Sequence, residues 1–188
     1  EANENGTPFL SLWNAMPEAY IQLLMEAQIN EIHKFAKEYI SVHPEYGNIK
    51  ERLDNNACKK LLLSPYSIPA QTGFEITVEK YAHTTPHHDV IAASLNSIHE
   101  PARQQGMDWV KANPAALAAD TDFMLQLVFA RHDRVRDWSR SFFEDHKPGE
   151  EAQKILAGKV ISLLLGLTSY NQLPEEVINK AGKDAIDL

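Results

Sequence analysis

The sequence has few of the features that cross-link a chain or attach it to a polyanion. One of its 188 residues is cysteine, so no disulfide can form within the chain, which favours a reducing compartment. Lysine and arginine number 18 against 26 acidic residues, and the net charge is −8 at pH 7. Proteins that neutralise nucleic-acid phosphates or anionic lipids usually present a basic face. We therefore expect no nucleic-acid partner and no anionic membrane surface as a partner.

Long hydrophobic runs are also missing. The longest is VISLLLGL, residues 160–167, whereas a membrane-spanning helix needs roughly 18–20 apolar residues. Neither a Gly-x-Ser-x-Gly motif nor a glycine-rich phosphate loop occurs. We expect no membrane span, and a cytoplasmic location or delivery into another cytosol. The sequence begins at Glu1 rather than methionine, which we interpret as a processed or excised chain.

Apolar residues recur at three- and four-residue steps through most of the chain, which indicates amphipathic helices. The fold class predicted is all-α: a single-domain bundle of six or seven helices with little or no sheet. Residues 1–10 are predicted as a flexible lead-in, and 11–188 as one helical domain with the proline-rich loop 64–73 as the only candidate for an internal boundary. The main helices are expected at 17–43, 48–63, 86–106, 121–145 and 150–167, with a last short helix at 173–182.

The segment Val160–Leu167 is apolar around nearly its whole circumference. A helix of this kind lies either in the centre of a core or in an interface. We favour the core, with a homodimer interface as the alternative.

The stretch YAHTTPHHDVIAA, residues 81–93, concentrates histidines beside an aspartate. Imidazole and carboxylate groups are ligands of iron, zinc and manganese. One helix cannot close such a site, so the helix at 121–145 would supply the other ligands. The candidate metal ligands are His83, His87, His88, Asp89, His132 and Asp133.

The same residues also have a purely structural interpretation. Thr85 would cap a helix that begins at Pro86, with Asp89 in its first turn. His132 would be a partly buried core histidine. Asp133 and Arg140 would lie on a solvated face with Arg136 balancing charge, and His33 likewise falls in a polar stripe to which we assign no role.

Two families resemble parts of this pattern. The order of His43, His88-Asp89 and His132-Asp133 is similar to that of the HD-type phosphohydrolases, which are all-α and metal-dependent. Glu79, His83 and His87, spaced four residues apart, and the pair His132 and Asp137 resemble the ligand pattern of hemerythrin-like bundles, which bind iron. The set of three would require a helix through Pro86, where the lost hydrogen bond and the ring clash cost about 3 kcal/mol or more.

Aromatic residues flank the proline-rich loop. Tyr66 and Phe74 are candidates for stacking on a flat ligand such as a nucleobase, or else they anchor the loop to the core. Cys58 lies on a predicted helix as a small core residue.

No catalytic residues are assigned. The function predicted is a helical interaction or small-ligand-binding module of adaptor, regulatory or effector type, which binds a protein partner or a small molecule between its helices. The prediction leans away from an enzyme. The alternative is a metal-dependent hydrolase or an iron-binding helical protein that uses the His/Asp cluster.

Overall fold

A computed structural model describes residues 10–166, and every regular element within this range is an α-helix. The all-α prediction is therefore confirmed. The helices are α1 (Leu10–Ala15), α2 (Glu18–Glu26), α3 (Asn30–Ser41), α4 (Tyr46–Arg52), α5 (Asn55–Leu62), α6 (Ser67–Lys80), α7 (His88–Leu95), α8 (Glu100–Ala112), α9 (Pro114–Ala118), α10 (Thr121–Val128), α11 (Asp133–Asp145) and α12 (Glu150–Gly166). None of them is long and apolar enough to cross a membrane, as far as residues 10–166 show.

The described part of the chain contains twelve helices rather than the six or seven predicted. Four long helices of the prediction are each broken by a short connection, at residues 27–29, 53–54, 96–99 and 129–132. Asp54 marks one of these breaks, because its carboxylate accepts a hydrogen bond of 2.8 Å from the backbone N–H of Ala57 and so begins α5. The lead-in and the last short helix lie mainly or wholly outside the described residues.

The helices group into two compact units, and each has its own hydrophobic core. The first unit consists of residues up to Thr85 together with Ser97–Ala102. Its core lies between α2, α3, α5 and α6, and Trp13, Tyr20, Phe35 and Tyr39 pack beside one another with ring centroids 4.8–6.2 Å apart.

The proline-rich segment 64–73 is not a loop, because α6 begins within it at Ser67. Pro69 lies in the first turn, where a helix tolerates the missing backbone N–H. Gly73 then allows α6 to lie against α5. A Cβ atom at Gly73 would come within 2.7 Å of the Leu61 Cβ and 2.8 Å of the Leu62 backbone nitrogen.

The second unit consists of residues 86–96 and 103–188, of which the structure describes those up to 166. Its core is built on α10, whose buried residues Phe123, Met124, Leu127 and Val128 follow a helical spacing. Helices α7, α9, α11 and α12 contribute further buried side chains to the same cluster.

The prediction that Val160–Leu167 lies in the centre of the core is wrong for the described part of that segment. Val160 is buried and Leu164 packs partly against the core, but Ile161 is 57% exposed and Leu165 is 81% exposed. The helix α12 therefore contributes one stripe to the core, through Leu156 and Val160. Leu167 lies outside the described residues, and the homodimer interface stays a prediction.

Candidate functional site

A cavity of about 820 Å³ lies in the second unit, between α10, α11, α12 and the loop that joins the last two. This volume is in the range of known small-molecule sites, roughly 300–1,000 Å³. Its wall is formed by Val128 of α10, by Arg136, Ser139, Arg140, Phe143 and Glu144 of α11, by Lys147 and Pro148 of the loop, and by Glu150, Gln153, Lys154, Leu156, Ala157 and Val160 of α12.

The helical repeat of α11 explains its share of the wall. Arg136, Ser139, Arg140 and Phe143 are spaced at three and four residues, so they lie on one face of the helix. Three polar side chains, followed by one aromatic ring, therefore line one side of the cavity.

Arg136 is the unusual member of this face, because it carries a charge and is only 2% exposed. Its Nη1 donates a hydrogen bond of 2.6 Å to the carbonyl oxygen of Ala130, and its Nη2 forms an ion pair with Asp133. A buried charge is tolerated when it is paired and hydrogen-bonded in this way. The guanidinium is consequently held in one position in the cavity wall, and Asp133 balances its charge.

The rest of the wall combines apolar side chains with polar ones. Val128, Phe143, Leu156 and Val160 are all buried. At the start of α12, Lys154 pairs with Glu150 at 2.8 Å, and Gln153 Nε2 donates to the carbonyl oxygen of Pro148 at 2.8 Å. The second bond ties the loop to the helix and so helps to define the edge of the cavity.

A smaller cavity of about 360 Å³ shares Lys147 and Pro148 with the first. Its other wall residues are Ala115, Ala118, Ala119, His146, Gly149 and Ala152. The loop between α11 and α12 thus borders both cavities.

Among the predicted metal ligands, His87, His88 and Asp89 lie at the start of α7. His87 rather than Thr85 is the N-cap, and its Nδ1 accepts a long hydrogen bond of 3.4 Å from the backbone N–H of Asp89. The Thr85 cap was therefore wrong, whereas Asp89 lies in the first turn as predicted.

His88 has a partner that the sequence did not suggest. Its Nδ1 lies 2.5 Å from the Asp120 Oδ2, to which it donates. Asp120 also accepts hydrogen bonds from the backbone N–H groups of Asp122 at 2.9 Å and Phe123 at 3.1 Å, so it caps α10. Partial burial alone would raise the pKa of Asp120, but the bonds from His88 and the backbone outweigh it, and the pKa lies below its usual value.

The remaining predicted ligands have other local roles. His132 is the N-cap residue of α11, Asp133 pairs with Arg136, and His83 is exposed in the turn that follows α6. Within residues 10–166, no three His, Cys, Asp or Glu side chains form a group that could hold a metal ion. The metal site stays a prediction, and elemental analysis of protein purified without a histidine tag tests it.

Tyr66 and Phe74, the predicted stacking residues, both have intramolecular partners in the first unit. The Tyr66 hydroxyl donates to the carbonyl oxygen of Gln28 at 2.9 Å, and its ring lies 4.7 Å from that of His33. Phe74 packs against His99 with ring centroids 5.2 Å apart. The Tyr66 contacts anchor the start of α6 to α3 and to the connection between α2 and α3, whereas the Phe74 contact joins α6 to the residue before α8. Stacking on a ligand stays a prediction for both residues.

His33 itself corrects another expectation. It is fully buried rather than solvated, and its Nε2 donates to the carbonyl oxygen of Ala27 at 2.9 Å. The break at residues 27–29 changes which face of α3 is turned toward the core. A polar stripe extended from α2 across this break therefore misplaces His33.

Sequence reasoning also missed the cavity. It placed Arg140 on a solvated face, and that side chain is exposed, but it treated Arg136 only as balancing charge nearby, whereas Arg136 is buried. One signal was present: Arg136 lies seven residues before Phe143, on the apolar side of the helix.

Comparisons of the chain with models of protein families, with curated proteins and with solved structures found no match.

Proposed function

We propose that this protein is a helical module that binds a small molecule in the cavity between α10, α11 and α12. The observation that carries the proposal is the combination of an apolar wall with a fixed, buried guanidinium at Arg136. Binding sites for small molecules typically combine a mostly apolar lining with a few polar groups that fix the orientation of the ligand.

The cavity is also defined by rigid elements. Arg136, Phe143, Leu156 and Val160 all lie on helices rather than on loops. Side chains on regular elements hold their positions more precisely than those on loops. A site of this kind needs little reorganisation when a ligand enters, which favours binding.

A neutral fluorescent probe, N-phenyl-1-naphthylamine, tests the proposal without assuming the charge of the ligand. Its fluorescence should rise in the presence of the protein and saturate at one equivalent. The variant Ala157→Trp places a large ring in the wall and should abolish the response. Ser162→Trp adds the same ring to an exposed position of α12 outside the cavity and should leave the response unchanged.

Two results would contradict the proposal. One is that the parent protein gives no saturable response. The other is that Ala157→Trp binds the probe as well as Ser162→Trp does, since the probe would then occupy some other surface.

A further inference from the structure

The balance of charge around the cavity is opposite to that of the chain as a whole. The chain carries 26 acidic and 18 basic side chains. The cavity wall carries four basic ones, Arg136, Arg140, Lys147 and Lys154, and only two acidic ones, Glu144 and Glu150. Lys154 is paired with Glu150, and Arg136 is paired with Asp133, which lies outside the wall. With Asp133 included, the cavity still has a net charge of +1, whereas the chain as a whole has −8.

Three of the four basic side chains of the wall lie on α11 and the loop after it, and most of the apolar ones lie on α11 and α12. Arg136 and Arg140 are one turn apart on α11, and Lys147 lies in the loop that follows. Phe143, Leu156 and Val160 supply buried apolar surface in the same cavity. A ligand that satisfies both kinds of wall needs an anionic group and an apolar body.

From this arrangement we infer that the ligand is a small amphipathic anion, such as a medium-chain carboxylate. Its head group lies against the basic side chains of α11 and the loop, and its hydrocarbon body lies against the apolar side chains of α11 and α12. Arginine is suited to this role because its planar donors match the geometry of a carboxylate. The inference rests on the proposed function and specifies the ligand class of the same cavity.

Displacement of N-phenyl-1-naphthylamine by three compounds of equal chain length separates charge from hydrophobicity. Decanoate, decanol and decyltrimethylammonium are compared below their micelle concentrations. We expect decanoate to displace the probe at least tenfold more effectively than the other two. Shortening the acid to octanoate and hexanoate should weaken displacement by about fourfold per methylene, the factor that corresponds to about 0.8 kcal/mol of burial.

A charge-matched pair of variants assigns the preference to this cavity. The double variant Arg140→Gln/Lys147→Gln removes two exposed basic groups from the wall and should abolish the advantage of decanoate over decanol. The control Lys111→Gln/Arg131→Gln removes two exposed basic groups elsewhere in the second unit and should preserve that advantage. Decanol should bind equally to both double variants.

The inference fails if decanol or decyltrimethylammonium displaces the probe as well as decanoate does, or if the double variant in the wall keeps the preference. In these cases the probe still binds, so the proposed function stands. Binding to phosphatidylglycerol vesicles without binding of free decanoate would also overturn the inference, because the ligand would then be a lipid surface. If the probe does not bind at all, both proposals fail.

Discussion

The two units of the chain bring their helices together in different ways. In the first unit, ion pairs join helices that are distant in sequence, as with Lys37 and Glu75 at 2.6 Å. In the second, several ion pairs lie within one helix, as with Lys154 and Glu150, although Lys159 of α12 also pairs with Asp122 of α10 at 2.7 Å. Close helix contacts occur in both units: only glycine fits at position 73 in the first, and a Cβ atom at Gly106 in the second would lie 2.9 Å from the Leu95 Cγ. The second unit also borders a cavity of about 820 Å³. The comparison therefore sets the closely packed pair α5 and α6 against the helices that border the cavity.

The most demanding test of this comparison replaces one buried leucine in each unit. Leu61 of α5 packs against α6, whereas Leu156 of α12 lines the cavity. Leu61→Ala should lower the free energy of unfolding by about 2–5 kcal/mol, the usual range for a buried leucine. Leu156→Ala should cost less, because one side of that side chain already borders empty space and makes fewer contacts.

Urea unfolding followed by circular dichroism measures both variants. Equal losses would show that Leu156 is packed as tightly as Leu61. Leu164→Ala should cost less than Leu61→Ala because Leu164 is only partly buried, whereas a position in the centre of the core would give about 2–5 kcal/mol.

A second test uses glycines. Gly73→Ala should destabilise the protein by about 1–3 kcal/mol, since its Cβ would lie 2.9 Å or less from three atoms of Leu61 and Leu62, two of them in the backbone. The matched control is Gly158→Ala in α12, where no atom lies within 4 Å of the added Cβ. Alanine is the better helix former by about 0.5–1 kcal/mol, so the control should be neutral or stabilising. Loss of stability in both variants, measured by the same unfolding curves, would mean that the close contact between α5 and α6 is not the cause of the loss at Gly73.

The repeat of apolar residues was sufficient to predict an all-α fold, because helical spacing depends on neighbours in sequence. It was not sufficient to locate the breaks, since the apolar stripe resumes after each one. Asp54 and Asp120 were readable signals, because aspartate is a preferred N-cap. Both cap helices in the structure, yet the apolar spacing alone predicts a continuous helix through Asp54 and gives no role to Asp120 before the helix at 121–145.

The candidate site was harder to predict than the fold. A cavity depends on the distance between helices, and that distance is set by tertiary packing rather than by any local pattern. The bond between His88 and Asp120 joins residues 32 positions apart, which no short motif specifies. For Arg136 a local signal was present but was not used, since its alignment with Phe143 on one face of α11 separates it from a solvated arginine.

An effect of intermediate size is expected at the cap of α10. Asp120→Asn keeps a good N-cap but removes the charge that accepts the bond from His88. Because the folded pKa of Asp120 lies below the unfolded value near 3.8, its ionised form contributes stability above that pH, and the contribution is lost as the pH falls through the folded pKa. The stability difference between parent and variant should therefore be constant at pH 5 and above, and shrink below about pH 4.

Equilibrium unfolding at a series of pH values follows this difference. A difference that grows on acidification would mean that the folded pKa is raised rather than lowered. Asp120→Ala serves as a reference, since it removes the cap as well and should cost about 0.5–2 kcal/mol even where the charge no longer contributes.

The smallest effect expected concerns the ion pairs with which the comparison began. Lys37 and Glu75 are partly covered and join α3 to α6, while Lys154 and Glu150 are mostly exposed within one helix. Burial alone would raise the pKa of Glu75, but the bonds from Lys37 and Gln71 lower it, which indicates a favourable interaction in the folded state.

Double-mutant cycles with Lys→Met and Glu→Gln substitutions should give a coupling of about 0.2–1 kcal/mol for the pair Lys37–Glu75 and about 0.3–0.5 kcal/mol or less for the pair Lys154–Glu150. Both couplings should decrease in 1 M salt, and the second should decrease further, because exposed charges are screened more than covered ones. A larger coupling for Lys154 and Glu150 would mean that the ion pair between helices is weaker than the pair within one helix, and the contrast between the units would then depend on packing alone.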